Sequence, residues 1–412
     1  MIVLILIAAV VAAVVVFVNT LSTDAREADS TPTLGTAKAA TTGSADPAQE
    51  AEQHILSQKI TSQTIDYGTT GVFDACAVLP LSVLEANGIK PYPHGLLNHQ
   101  YIEKSVSGDR ATVRDSAHDI TTCSYLVPGS GTSADGTDAG RTGLFSLDIK
   151  QTPFNRVFTF DLASRDGDTT RSAAGLTVYL RGDGNRLEAR TGNENVFVRL
   201  AAHDVNTEYG GVDIKTVFNK IVDEVAANLA KGPTQQARFT NGGSYSGVPS
   251  ACEWFTADVF TQATGAPDSG WVRETSSHDE TWVAEFDGTN SFQISQECSR
   301  SAPDVVNNRD SDSYLKVRFE VYRDETAATH ADYNYCDPSS PTIALTGKPV
   351  PASEKVGDGA ACVSVIGSPE YHFRVGRVAV SMGPAKWVGD DLTKIATALT
   401  PAAKKLATTL PN

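Results

Sequence analysis

Two stretches decide how this chain reads: Cys76 to Gly88, CAVLPLSVLEANG, and Cys252 to Gly265, CEWFTADVFTQATG. In each, a cysteine leads a short amphipathic segment that ends at a glycine, the residue best suited to the left-handed conformation that closes a helix. The correspondence continues outward at an offset of about 175 to 178 residues. Cys123 follows Cys76 by 47 residues and Cys298 follows Cys252 by 46. Alternating apolar and polar residues then mark strands at Leu144 to Lys150 (LFSLDIK) and Leu315 to Tyr322 (LKVRFEVY), as a half-buried strand requires. Each half closes with a strand, ENVFVRL at Glu194 to Leu200 or FRVGRVAV at Phe373 to Val380, and then a long helix. Val217, Phe218, Ile221, Val225 and Leu229 make one apolar helix face; Leu392, Ile395, Leu399, Ala402 and Leu406 make the other.

The order helix, antiparallel strands, helix, repeated once, predicts an α+β fold: two duplicated domains of mainly antiparallel sheet packed with helices. A parallel doubly wound fold has no support, because no strand runs directly into a glycine-rich loop and a helix in repeating order. The expected boundaries are a transmembrane anchor over 1–21, a disordered linker over 22–66, a first domain over 67–231, a linker over 232–249 and a second domain over 250–412. Ile2 to Val18 carries no charge and, at ~1.5 Å per residue, spans about 25 Å as a helix, which reads as a retained single-pass anchor. Thr23-Asp24-Ala25 offers only a weak cleavage site. The following stretch is rich in Thr, Ala, Ser, Asp and Glu and cannot bury enough surface to offset ordering entropy, although Ala48 to Lys59 could form a short stalk helix.

Six cysteines, none in a C-x-x-C pair or at zinc spacing with histidine, read as three disulfides formed in an oxidising, extracytoplasmic compartment. The duplication favours Cys76 with Cys123 and Cys252 with Cys298, leaving Cys336 with Cys362 in the second half alone. Closing a loop of about 47 residues stabilises a domain by ~4 kcal/mol in the chain-entropy model. The net charge of −15 repels polyanions, so no nucleic-acid partner is expected.

Catalytic and metal motifs are absent from the sequence. Gly243-Ser244-Tyr245-Ser246-Gly247 has tyrosine where a nucleophile elbow needs serine, and reads as linker. His94 and His99 lack a partner at ligand spacing and read as loop residues. Asp166-Gly167-Asp168 and Asp183-Gly184-Asn185 read as turns between strands, and Arg181-Gly182-Asp183 falls within the second of these. No cofactor, metal or catalytic residue is expected. Tryptophans 254, 271, 282 and 387 all lie in the second half. Trp254 reads as core against the disulfide, and Trp271, after the turn Pro267-Asp268-Ser269-Gly270, as the one candidate ligand contact.

In its paired segments of cysteine, short helix, glycine and second cysteine, the chain resembles a family of actinobacterial secreted or lipid-anchored envelope domains. The resemblance implies a PsbP-like or similar α+β sandwich, twice over about 160 residues, and supplies no catalytic residue. The chain departs from that pattern in lacking a lipobox and in doubling the domain. The expected function is a membrane-anchored extracytoplasmic accessory or binding protein whose partners are other envelope proteins or an envelope lipid or glycan. Help in lipid export or envelope assembly is the specific form the resemblance implies. The alternatives are an envelope hydrolase or transferase with dispersed catalytic residues, and a sensor ectodomain. A deep apolar tunnel would favour lipid, whereas a cleft holding two carboxylates, or serine with histidine, would favour catalysis.

Overall fold

A computed structural model describes Glu52 and residues 55–92, 95–104, 121–130, 142–152, 162–284, 290–302, 314–340, 343, 348–366, 368–384 and 391–411. The expected anchor at Ile2 to Val18 lies outside these residues. Among the described residues, no helix is long and apolar enough to cross a membrane.

The first half runs β1 (Leu56–Thr61), β2 (Asp66–Tyr67), β3 (Thr70–Gly71), α1 (Ala75–Val78), α2 (Leu81–Ala86), β4 (Leu96–Ile102), β5 (Thr121–Pro128) and β6 (Thr142–Gln151). It continues with β7 (Thr169–Ala173), β8 (Leu176–Asp183), β9 (Arg186–Asn193), β10 (Val196–His203), β11 (Glu208–Tyr209), β12 (Val212–Asp213) and α3 (Ile214–Ala230). The second half runs β13 (Gln236–Asn241), α4 (Ala251–Trp254), α5 (Ala257–Thr264), β14 (Trp271–Ser277), β15 (Thr281–Ala284), β16 (Asn290–Ser301) and β17 (Tyr314–Tyr322). It ends with α6 (Glu325–Cys336), β18 (Val350–Pro351), β19 (Cys362–Ile366), β20 (Ser368–Val375), β21 (Val378–Pro384) and α7 (Leu392–Ala407). The protein is a mixed α+β fold, and its main sheet is antiparallel throughout the described pairings.

Local sequence explains the element ends. Asp74 accepts hydrogen bonds from the Cys76 and Ala77 amides and so caps α1, which stops ahead of Pro80 because the residue before a proline is pushed out of helical geometry. Gly265 closes α5 at φ +70°, and Gly88 follows α2 at φ +76°. Asp213 and Asp391 cap the two long helices. Strand β5 alternates buried and half-buried side chains along its whole length, the pattern of one face in a core. One expected strand divides: Phe373 to Val380 spans the end of β20, a turn at Gly376 (φ +51°) and the start of β21, because glycine accepts the positive φ that a tight hairpin demands.

The halves do not form separate sheets. Fifteen strands make one sheet, fourteen along the path β18-β19-β20-β21-β17-β16-β14-β4-β5-β6-β10-β9-β8-β7 and β15 off it, paired with β16. Outward from the β14–β4 junction, each strand of one half meets its counterpart at the same place in the other. The junction is antiparallel, from Trp271 opposite Ile102 to Ser277 opposite Leu96, and its central pair is His99 opposite Glu274. A second two-stranded ribbon repeats this relation, with β1 antiparallel to β13 from Leu56 opposite Asn241 to Thr61 opposite Gln236. Both junctions join an element to its own duplicate, the self-complementary arrangement of a two-fold contact within one chain.

Two apolar cores lie under the helices, and each borrows from the other half. Trp271 packs into the core of α3, Phe145 and Leu147, whereas Ile55 and Tyr101 pack into the core of Trp254, Phe319 and Leu399. Residues Ala51–Asn412 accordingly form one compact unit. Two expectations change as a result. The tether expected to reach residue 66 gives way to folded chain at β1, and no stalk helix forms over 56–61, since Leu56 and its neighbours satisfy their backbone groups on β13. The linker expected over 232–249 contains β13 and a short 3-10 turn at Gly243–Tyr245, whose Tyr245 is fully buried and donates its hydroxyl to Glu280.

Candidate functional site

The pairing of His99 with Glu274 places two titratable side chains on one face of the sheet at its centre of symmetry. There the β1–β13 ribbon and the start of α4 leave a cleft of about 240 Å³. The first half contributes His99, Tyr101 and Glu103; the second contributes Ala237 to Thr240 on β13, Ser250 and Glu253 at α4, and Glu274 on β14.

Asp74 organises the first side of the cleft. Its Oδ1 accepts from the Cys76 and Ala77 amides and faces His99 Nε2 at 2.9 Å, and its Oδ2 accepts from the Ala237 amide at 3.0 Å. One buried carboxylate thus ties the helix start, the sheet and the ribbon together. Burial alone would raise its pKa, but His99 and the converging amides outweigh that and hold Asp74 below the usual aspartate range. An ionised carboxylate only accepts, so in the neutral imidazole the ring proton sits on Nε2 and the lone pair on Nδ1. The ring, 2% exposed, stacks on Tyr101 with centroids 4.1 Å apart and meets Phe239 edge-on at 5.6 Å.

Glu274 organises the second side. It accepts from the Tyr101 hydroxyl at 3.2 Å, from the Cys252 amide at 3.4 Å and from Ser250, and it is 5% exposed. Burial pushes its pKa up, with His99 and these donors only partly opposing the shift. Ser250 occupies in the second half the place that Asp74 holds in the first, two residues before the leading cysteine. The same chain position therefore supplies a charged cap on one side and a neutral hydroxyl on the other.

Arg300 anchors Glu103, a residue of the lining, from within the core. Its fully buried guanidinium bonds Glu103 at 2.7 Å, Asp268 at 3.0 Å and the carbonyls of Phe255 and Cys252. The equivalent task in the first half falls to Tyr125, whose hydroxyl donates to the Leu79 carbonyl at 2.8 Å. Over the mouth, Arg238 lies 5.9 Å from the Tyr101 ring centroid and donates to the Ala237 carbonyl at 3.3 Å.

The three disulfides form as expected, Cys76–Cys123, Cys252–Cys298 and Cys336–Cys362, and no cysteine is free. The first two brace the starts of α1 and α4 against β5 and β16, so they hold the cleft walls. Asp74, Cys76 and His99 bring ligand-type atoms within 4.8 Å of one another, but Cys76 is spent in its disulfide and the oxygens of Asp74 are occupied by donors, so these three are not a metal set.

Trp271, expected as an exposed contact, is 5% exposed and belongs to the core, because the strand that it opens pairs with β4 and turns its ring under the sheet. Trp254 packs at 5.0 Å on Phe319 in the other core, as expected. His99, expected in a loop, is a strand residue; His94 lies outside the described residues. Asp168 is likewise more than a turn residue, since its carboxylate pairs with the buried Arg190. Arg181 to Asp183 end β8 at a hairpin whose next residue, Gly184, has φ +55°. The residues that build the cleft, Asp74, His99, Ser250 and Glu274, were not singled out by motif. A signal existed: they are the positions where the duplicated segments align but differ in charge.

Comparison of the chain with family models, with curated proteins and with solved structures finds no match.

Proposed function

We propose that this chain is an extracytoplasmic accessory protein of the cell envelope, held to the membrane through Ile2 to Val18, that binds the polar part of an envelope component in the cleft between its halves. The single observation that carries this reading is the cleft itself, a concavity of about 240 Å³ built from both halves at their symmetry centre. Pockets at such junctions, with a few converging polar groups, are where small ligands bind. Three disulfides support an oxidising compartment. The polar lining favours a headgroup, glycan or peptide fragment over an acyl chain, and the apolar pocket beside it, lined by Leu56, Leu97 and Phe239, has only about 10 Å³.

The test is backbone amide NMR of the 51–412 unit titrated with envelope extracts fractionated into glycan, peptide and lipid-headgroup pools. Saturable shifts centred on Thr240, Ser250 and Glu253 support the reading; saturable shifts confined to other surfaces remove it. A second reading, an envelope hydrolase or transferase, draws on the pairing of His99 with Asp74 beside a carboxyl of raised pKa, since groups pushed apart in pKa suit acid and base roles. Turnover of a bound fragment, abolished in Asp74→Asn, would move the protein to that class.

A further inference from the structure

The ionic state of the cleft narrows what it binds. Five charged or basic groups line it. Glu103 is already neutralised by Arg300. Among the described residues Glu253, exposed at the rim, meets no cation, and Arg238, which also lines the cleft, meets no carboxylate. His99 is nine-tenths buried and more, its Nε2 faces Asp74, and its ring lines the cleft. Glu274 is bonded by neutral donors only, the Tyr101 hydroxyl, the Cys252 amide and Ser250.

The lining thus offers two carboxylates that meet no cation, Glu253 and Glu274, and one guanidinium that meets no carboxylate, Arg238. An ammonium has donors and no acceptor, so it matches the two carboxylates; a carboxylate accepts two parallel bonds from a guanidinium, so it matches Arg238. The volume of about 240 Å³ lies just below the usual range for drug-sized pockets, roughly 300–1,000 Å³, and suits a ligand of a few carbons.

We propose that the cleft between the halves binds a small zwitterion of the amino-acid type, its ammonium held by Glu253 and Glu274 and its carboxylate by Arg238. The inference rests on the reading of the cleft as a ligand site and adds the chemical class of the ligand.

The experiment is calorimetric and NMR titration of the 51–412 unit with free L- and D-amino acids, then with the N-acetyl and carboxamide derivatives of the one bound best. Glu253→Gln and Arg238→Met, both at solvent-accessible positions, serve as variants. The expected result is saturable binding with shifts at Thr240, Ser250 and Glu253, weakened about tenfold by either substitution and by either derivative, the loss of one charge-assisted hydrogen bond. The variants should also separate the derivatives: Arg238→Met should no longer distinguish the amino acid from its carboxamide. Equal binding of amino acid, N-acetyl compound and carboxamide overturns the zwitterion while the cleft remains a ligand site. Shifts at the cleft from neutral glycan fragments, with none from amino acids, do the same. Saturable binding of both probe types away from the cleft overturns this inference and the ligand site together.

Discussion

Replacing Asp74 by alanine removes four hydrogen bonds at once from the place where helix, sheet and ribbon meet. The lost cap of α1 costs about 1 kcal/mol. The buried Ala237 amide is left without its acceptor at about 1–3 kcal/mol, and the bond from His99 to a charged acceptor is worth about 1.5–3 kcal/mol. These contributions share one carboxylate and overlap, so the expected loss is about 4 kcal/mol, a large part of the roughly 5–15 kcal/mol that a folded protein commands. Urea unfolding of the 51–412 unit at neutral pH measures it. Ser250→Ala is the internal control, since Ser250 stands at the equivalent position, bonds no helix amide with its side chain and should cost about 1 kcal/mol. The pH dependence supplies a second check. The folded pKa of Asp74 lies below its ordinary 3.8, so its contribution is complete above the unfolded value and is lost as pH falls through the folded one. The difference between wild type and Asp74→Ala should therefore narrow as pH falls through the folded pKa of Asp74. A loss below about 1 kcal/mol at neutral pH, on the scale of one surface hydrogen bond, or a loss equal to that of Ser250→Ala, would refute the four-donor arrangement and with it the fixed tautomer of His99.

The Cys336–Cys362 bridge closes 26 residues against 47 and 46 for the others, so its removal should cost about 3.5 kcal/mol against about 4 for each of the paired ones, measured by the same unfolding. Trp271→Ala should destabilise by about 3–5 kcal/mol through a core cavity and leave the selectivity of ligand binding unchanged; a change in selectivity would return Trp271 to the binding site. Glu274→Gln should gain on the wild type as pH rises, because the raised folded pKa of Glu274 makes its ionisation favour the unfolded chain between the ordinary 4.5 and the folded value; parallel stability curves of the two proteins across that window would contradict the burial of its charge. Arg300→Met should cost about 3–5 kcal/mol by removing the cation that Glu103 and Asp268 share, and a stability equal to wild type would show that the fold does not depend on that ion group.

The sequence by itself determined the local and periodic features. The helix-closing Gly88 and Gly265, the strand patterns of β6 and β17 and the apolar stripes of α3 and α7 depend on neighbours within a few residues, and the duplication exposes the cysteine pairs because both copies keep the spacing. The tertiary structure alone decided how the halves meet. Nothing local to Leu96–Ile102 or Trp271–Ser277 says that these strands pair with each other, since an edge strand presents the same backbone groups to any partner. That pairing buries Trp271, lifts β13 out of an apparent linker and sets His99 opposite Glu274. A cleft made of residues 175 positions apart has no motif, because its chemistry arises from a contact across the symmetry centre and not from spacing along the chain.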